Sequence, residues 1–89
     1  MTHELKIWPE NFEAILSGKK RHEVRNSDRP FAEGDEVWLR EWRPYHTPEK
    51  LRGYTRRELR VFITDMTFPG TFGLPDDLVV FSFRLKRGR

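Results

Sequence analysis

Eight consecutive residues, Gly18-Lys19-Lys20-Arg21-His22-Glu23-Val24-Arg25, hold the densest group of chemically capable side chains in this 89-residue chain. Glu23 and Arg25 lie two positions apart, so on an extended strand both project to one side. Lys20 stands at the entrance to that strand. A lysine, a carboxylate and a guanidinium that converge on one concave spot can bind a phosphate, or read a base edge through donors and an acceptor. The same group can work as an acid–base pair, Lys20 as nucleophile or general base and Glu23 as its orienting group or proton shuttle. A nucleophilic lysine must be desolvated, and a carboxylate beside it acts the other way by favouring the ammonium. The structural alternative is an exposed strand laced with weak cross-strand ion pairs.

Glu41 is the second residue of interest. Val37 and Leu39 set the core face of a strand over 36–42, and Glu41 continues that face. A charge buried without a partner is costly, so Glu41 calls for a cation, and Arg25 and Lys20 are the expected ones. In the other reading the strand has twisted outward by then and Glu41 is solvated. The stretch 43–57, with Trp42 before it, interleaves Tyr45 and Tyr54 with Arg43, Lys50, Arg52, Arg56 and Arg57. Aromatic rings stack on unpaired bases and cations track phosphates; the alternative is a long hairpin whose aromatics pack on the body of the fold. In the turn at 27–30, Asp28 serves the turn and Arg29 is placed to face the cleft. His3, His22 and His46 have no partners in sequence and no metal-like spacing, so no metal or cofactor is expected. His22 reads as a half-buried strand residue, and Trp38 and the phenylalanines as packing.

These groups need elements to hold them. Leu5 and Ile7 alternate with polar neighbours, which marks a short half-buried strand. Pro9 ends it and suits the first turn of a helix. Phe12, Ile15 and Leu16 give that helix one apolar face, Trp8 is placed to staple its start, and Gly18 sits where a helix C-cap belongs. Further strands are expected over 21–25, 36–42, 58–66 and 78–85, with loops at 43–57 and 67–77 and a frayed basic tail at 86–89. The expectation is therefore an α+β fold, a small β-barrel of about five strands with one N-terminal helix. Closure would protect the edges of strands this short.

Composition bounds the rest. One domain over 1–89 accounts for the length. Net charge is +3 with a pI near 9.6, a mild excess that suits a polyanionic partner or a solvated mixed-charge surface. There is no cysteine, which excludes disulfides, thiolate metal sites and a cysteine nucleophile and fits a cytoplasmic location. No stretch approaches the ~18 apolar residues of a membrane span, and Met1 to Trp8 lacks the apolar run of a signal peptide.

The stretch H-E-L-K-I-W-P-E-N-F-E-A-I-L-S-G-K-K-R-H-E-V-R at 3–25 resembles the ASCH domains of the PUA-like superfamily. It is closest in character to a small subgroup of uncharacterised bacterial and phage ASCH-related proteins, with the helix, glycine, lysine, Glu-x-Arg order as the shared mark. The resemblance continues through Asp28-Arg29, Phe31, Gly34-Asp35, Leu39-Arg40-Glu41-Trp42, Tyr54-Thr55 and Arg57-Glu58-Leu59. It implies a PUA-like barrel with a cleft, in a family whose members are suspected RNA or nucleotide binders. The residues themselves put forward Lys20, Glu23, Arg25, Arg29, Glu41, Tyr54 and Arg57 as ligand-binding candidates. Some small ASCH proteins are amidohydrolases that deacetylate acetylcytidine, and a ribonuclease activity has been proposed for others. The amidohydrolase pattern has a lysine, which Lys20 matches, and a threonine three positions on, where this chain has Glu23. Its distant glutamate has no motif match, and Glu41 stands for it on physical grounds alone.

Overall fold

Burial with a period of two begins earlier than Leu5. The first strand, β1 (Thr2–Ile7), buries His3 along with Leu5 and Ile7 and turns Thr2, Glu4 and Lys6 to solvent. The structure, a computed structural model, describes residues 1–44 and 48–86. Helix α1 (Pro9–Leu16) follows at once and sends Phe12 and Ile15 into the core. Trp8 is the N-cap of α1 rather than the residue before it. The staple position thus belongs to Ile7, which is buried in the same apolar cluster as Phe12. Gly18 leaves the helix with φ +83°, a left-handed conformation that glycine adopts freely. The Lys20 N–H closes onto the Ala14 carbonyl at 3.0 Å, which fixes Lys20 at the helix end.

The remaining strands are β2 (His22–Asn26), β3 (Glu36–Arg43), β4 (Gly53–Thr67) and β5 (Leu78–Leu85). They form a single curled sheet of five strands in the order β1-β3-β4-β5-β2, a half-barrel with one short helix. Among the described residues only β1 and β3 run parallel; a parallel pair needs a crossover, and α1 lies in it. Val37, Leu39, Val61, Ile63, Val79 and Phe81 line the inside of the curl at 2% exposure or less. Among the described residues no helix is long and apolar enough to cross a membrane.

Two expectations change here. The loop at 43–57 is much shorter, because β4 begins at Gly53 and pairs Gly53 with Arg43 and Tyr54 with Trp42. The period of two breaks between those pairs and the pair Arg40–Glu58. There Arg56 takes φ +73° in an irregularity that hides the strand from pattern reading. The rest of the connection carries a 3₁₀ turn at Glu49–Leu51, while Tyr45 and His46 lie outside the described residues. The second change is His3. Its Nε2 lies 2.7 Å from Asp35 Oδ2, which also accepts the Ala32 N–H at 3.0 Å. Burial pushes the Asp35 carboxyl up, but the donors of His3, the Met1 amine and Ala32 outweigh it and hold it below its ordinary 3.8. This contact pins the start of β1 to the turn before β3.

Candidate functional site

The two ends of the curled sheet, β1 and β2, meet without a backbone ladder. Side chains bridge them instead: Arg25 Nη2 donates to the Lys6 carbonyl at 2.6 Å, and Arg29 Nη1 to the Glu4 carbonyl at 3.2 Å. A strand edge presents unpaired carbonyls, and here Arg25 of β2 and Arg29 of the turn after it cap them. The sequence-predicted candidates Lys20, Glu23, Arg25 and Arg29 all gather along this seam.

Glu23 lies at its base. On β2, Glu23 is 4% exposed whereas Val24 is 51% exposed, so the reading of β2 as an exposed strand of ion pairs fails at Glu23. His22 is exposed rather than half-buried. Arg25 Nε donates to Glu23 Oε2 at 3.0 Å. Lys20 Nζ stands 3.1 Å from Glu23 Oε1 and also donates to Asn11 Oδ1 at 3.2 Å. An ammonium carries three N–H groups, so Lys20 serves both Asn11 and, as an ion pair, the buried Glu23 Oε1. Above this carboxylate opens a hollow of about 430 Å³ lined by Lys6, Trp8, Asn11, Lys20, Glu23 and Val24 among others. It adjoins a second one, about 290 Å³, lined by Glu4, Lys6, Arg25, Arg29, Arg40 and Tyr54.

The second hollow is layered with rings and cations. Arg40 lies 3.9 Å over Tyr54, and Lys6 lies 4.8 Å from Trp42 and 5.8 Å from Tyr54. Register explains this: Lys6 pairs with Arg40 across β1 and β3, and Trp42 with Tyr54 across β3 and β4. Such stacking of cations on rings holds the guanidinium flat and leaves its edge to solvent.

Glu41 belongs to a different construction. It is 3% exposed and continues the Val37–Leu39 face, as its spacing predicts. Its partners are not Arg25 or Lys20. Thr55 Oγ1 donates to Oε1 at 2.6 Å, and Arg57 grips both oxygens through Nε and Nη2 at 2.9 Å each. Arg57 Nη2 also donates to Glu13 Oε2 at 2.6 Å, and its guanidinium lies 4.3 Å over Phe12. The irregular stretch of β4 is what aims both Thr55 and Arg57 inward at one residue of β3. Hydrogen bonds from Arg57 outweigh burial and, with Thr55, hold the Glu41 carboxyl below its ordinary 4.5. Glu41 and Glu13 in turn raise Arg57 further above its own. The arrangement clamps α1 to β3 and β4, and it leaves no oxygen of Glu41 free for a ligand.

The sequence from residue 2 to residue 83 matches the family described as Domain of unknown function (DUF3850). The chain belongs to that family. A curated relative from Escherichia phage P2, described as an uncharacterized 12.9 kDa protein in the GpA 3′ region, is 38% identical over 66 residues. The alignment covers 73% of this chain and 53% of the relative, so the chain spans about half that protein's length.

The DUF3850 match takes in both the seam and the Glu41 clamp. Of the candidates named from sequence, the DUF3850 fold brings Lys20, Glu23, Arg25, Arg29 and Tyr54 to the seam and sets Glu41 and Arg57 apart. Sequence reasoning missed Lys6 and Arg40, although both stand at outward positions of alternating strands, and it missed Trp8 and Asn11 as walls of the cleft. A larger hollow of about 860 Å³ lies on the far side of Lys20, against Leu16, Arg21 and Phe83. Among the described residues it holds no buried polar atom that lacks a partner.

Proposed function

We propose that this DUF3850 domain is a PUA-like module of the ASCH type that binds single-stranded RNA or a nucleotide along the β1–β2 seam. The observation that carries this reading is the run of Lys6, Lys20, Arg25, Arg29 and Arg40 around two adjoining hollows, with Tyr54 and Trp8 as exposed rings. Cations at that density neutralise phosphates, and rings at that exposure stack on bases. An RNA partner and the absence of cysteine fit the cytoplasm.

The test is a salt titration of affinity for a labelled single-stranded RNA. Each phosphate contact contributes a slope of about 0.7 in log K against log salt for a single strand. The Lys6→Ala, Arg40→Ala double variant removes two cations at the surface, with only the weak Arg40–Glu4 pair and the ring stacking lost, so it should stay folded and lose about 1.4 from that slope. An unchanged slope and affinity would remove the seam as the binding surface.

One observation favours a second reading, that of a small hydrolase acting on acetylated cytidine. Lys20 and Glu23 do stand together in a cleft. Against it, the Glu23 carboxylate 3.1 Å from Lys20 Nζ favours the ammonium over the nucleophilic amine, and Glu41, the candidate for the distant glutamate, is locked onto Arg57. Chromatographic detection of cytidine released from acetylcytidine, lost in Lys20→Ala, would put this reading first.

A further inference from the structure

We infer that the smaller hollow of the seam, ringed by Lys6, Arg25, Arg29 and Arg40, seats a phosphate monoester, the terminal phosphate of a strand or of a nucleotide. This rests on the RNA or nucleotide reading above and names the group by which that ligand is held.

Charge around this hollow is one-sided. Four cations line it, Lys6, Arg25, Arg29 and Arg40, against one acid, Glu4. Arg25 is answered by the buried Glu23. Arg29 has Asp28, a loose pair at 3.5 Å with an exposed acid. Glu4 is also exposed and reaches Arg40 at 3.4 Å, so it can turn aside for an anion at little cost. Lys6 has no acid. Among the described residues its ammonium meets only the rings of Trp42 and Tyr54, and an ammonium carries three N–H donors. Like charges gathered at one spot repel, and a bound anion relieves that repulsion.

The donors are fixed in place and arrive from several sides. Lys6 comes from β1, Arg40 from β3, Arg25 from β2 and Arg29 from the turn after it. Arg25 Nη2 and Arg29 Nη1 are anchored on the Lys6 and Glu4 carbonyls, and Arg40 lies over Tyr54. Each anchor uses part of a five-donor guanidinium and leaves the rest to a ligand. A planar carboxylate is met by one such fork, whereas a phosphoryl group offers three acceptor oxygens to donors from several directions. A backbone diester carries a single charge. A monoester carries about −1.5 to −2 at neutral pH, which suits an unanswered Lys6 beside the loosely paired Arg29 and Arg40. A hollow of about 290 Å³ is at the small end for a ligand site, the scale of one group rather than a run of strand.

The test measures what a terminal phosphate adds. A labelled single-stranded RNA carrying a phosphate at one end, at the other, or at neither is titrated onto the intact chain by fluorescence anisotropy. A nucleoside monophosphate, its nucleoside and inorganic phosphate serve as competitors. A strand phosphorylated at one of its ends should bind about tenfold or more tighter than the unphosphorylated strand, and the end that gives the advantage sets the polarity of the strand in the seam. In the Lys6→Ala, Arg40→Ala double variant the strands should bind alike, whatever they lose in common. Lys6→Gln gives up only ring contacts, so it carries the test should the double variant unfold, and it should remove most of the advantage. A monophosphate that competes as well as the phosphorylated strand, where its nucleoside does not, would assign the seat to a nucleotide. Inorganic phosphate competing equally well would overturn the ester and leave a site for phosphate itself. Equal binding of all the strands, with no competition by the monophosphate, would overturn the monoester and leave the RNA-binding reading standing. An advantage that persists in both variants would overturn its placement in this hollow. Absence of any salt-sensitive binding would overturn both readings.

Discussion

Two glutamates in this small protein are buried almost equally, Glu23 at 4% and Glu41 at 3% exposure, yet they are surrounded very differently. Glu41 has donors on both oxygens, three hydrogen bonds in all from Thr55 and Arg57, and it lies between elements that must stay together. Glu23 is held by Arg25 on one oxygen and by the Lys20 ammonium on the other, and it lies under an open hollow between two strand edges. A buried carboxylate with every acceptor met is part of the framework. One whose cations keep about a quarter of their side-chain surface exposed beside a hollow is held less tightly. The contrast teaches that equal burial can serve two constructions, one carboxylate locking elements together and the other lining a cleft.

Arg57→Met should give the largest effect on this contrast. Arg57 is half exposed but Glu41 is buried, so the substitution leaves a buried carboxylate without its cation, which is far more damaging than removing both partners. The melting temperature should fall on the order of 10 °C or more, measured by circular dichroism, while affinity for RNA per folded molecule stays near that of the wild type. A variant that melts normally but loses RNA would move Arg57 from the framework to the site.

Acid should show the same clamp at intermediate size. The carboxyls of Glu41 and Asp35 are held below their ordinary values of 4.5 and 3.8. Groups lowered in the folded state add stability that is present above the ordinary value and lost as pH falls through the lowered one. The melting temperature should therefore be steady above about pH 5 and drop below it. In Arg57→Met the lone carboxyl is destabilised by burial instead, so its protonation brings relief. The gap between variant and wild type should narrow as the pH falls below 4.5. A gap that stays constant into acid would mean that Arg57 supports the fold through Phe12 or Glu13 rather than Glu41.

Glu23→Met should have the smallest effect on stability, within about 1 kcal/mol of the wild type in chemical denaturation. Lys20 and Arg25 keep about a quarter of their side-chain surface exposed, so both can turn to water once the acid is gone. A loss comparable to that of Arg57→Met would erase the distinction between the two glutamates.

Much of this was legible before any coordinates. Leu5 and Ile7, Val37 and Leu39, Val61 and Ile63, and Val79, Phe81 and Phe83 all face the core as their alternation requires. Helix α1 ends before Gly18 as its glycine requires. The convergence of Lys20, Glu23 and Arg25 follows from a glycine exit and a spacing of two. His3 could also have been read, since it shares the parity of Leu5 and Ile7 on β1 and so had to be buried and partnered. The extent of β4 could not, because the irregularity at Arg56 breaks the only periodic signal a strand offers. Exposure of Phe72 at 99% likewise ran against the expectation that the phenylalanines pack.

What the sequence by itself determined is the local layer: where strands and the helix lie, which residues face inward, and which charged residues must find partners. Those follow from the periodicity of backbone geometry and from the cost of burying a charge, and both act over a few neighbours. What only the tertiary structure decided is which partners they found. Glu41 takes Arg57, sixteen positions away, because an irregular strand places it there. Arg25 and Arg29 cap carbonyls of a strand nineteen and twenty-five positions earlier, because the sheet curls until its two edges meet. Register and curvature are set by the packing of the whole sheet, and no window of the chain contains them.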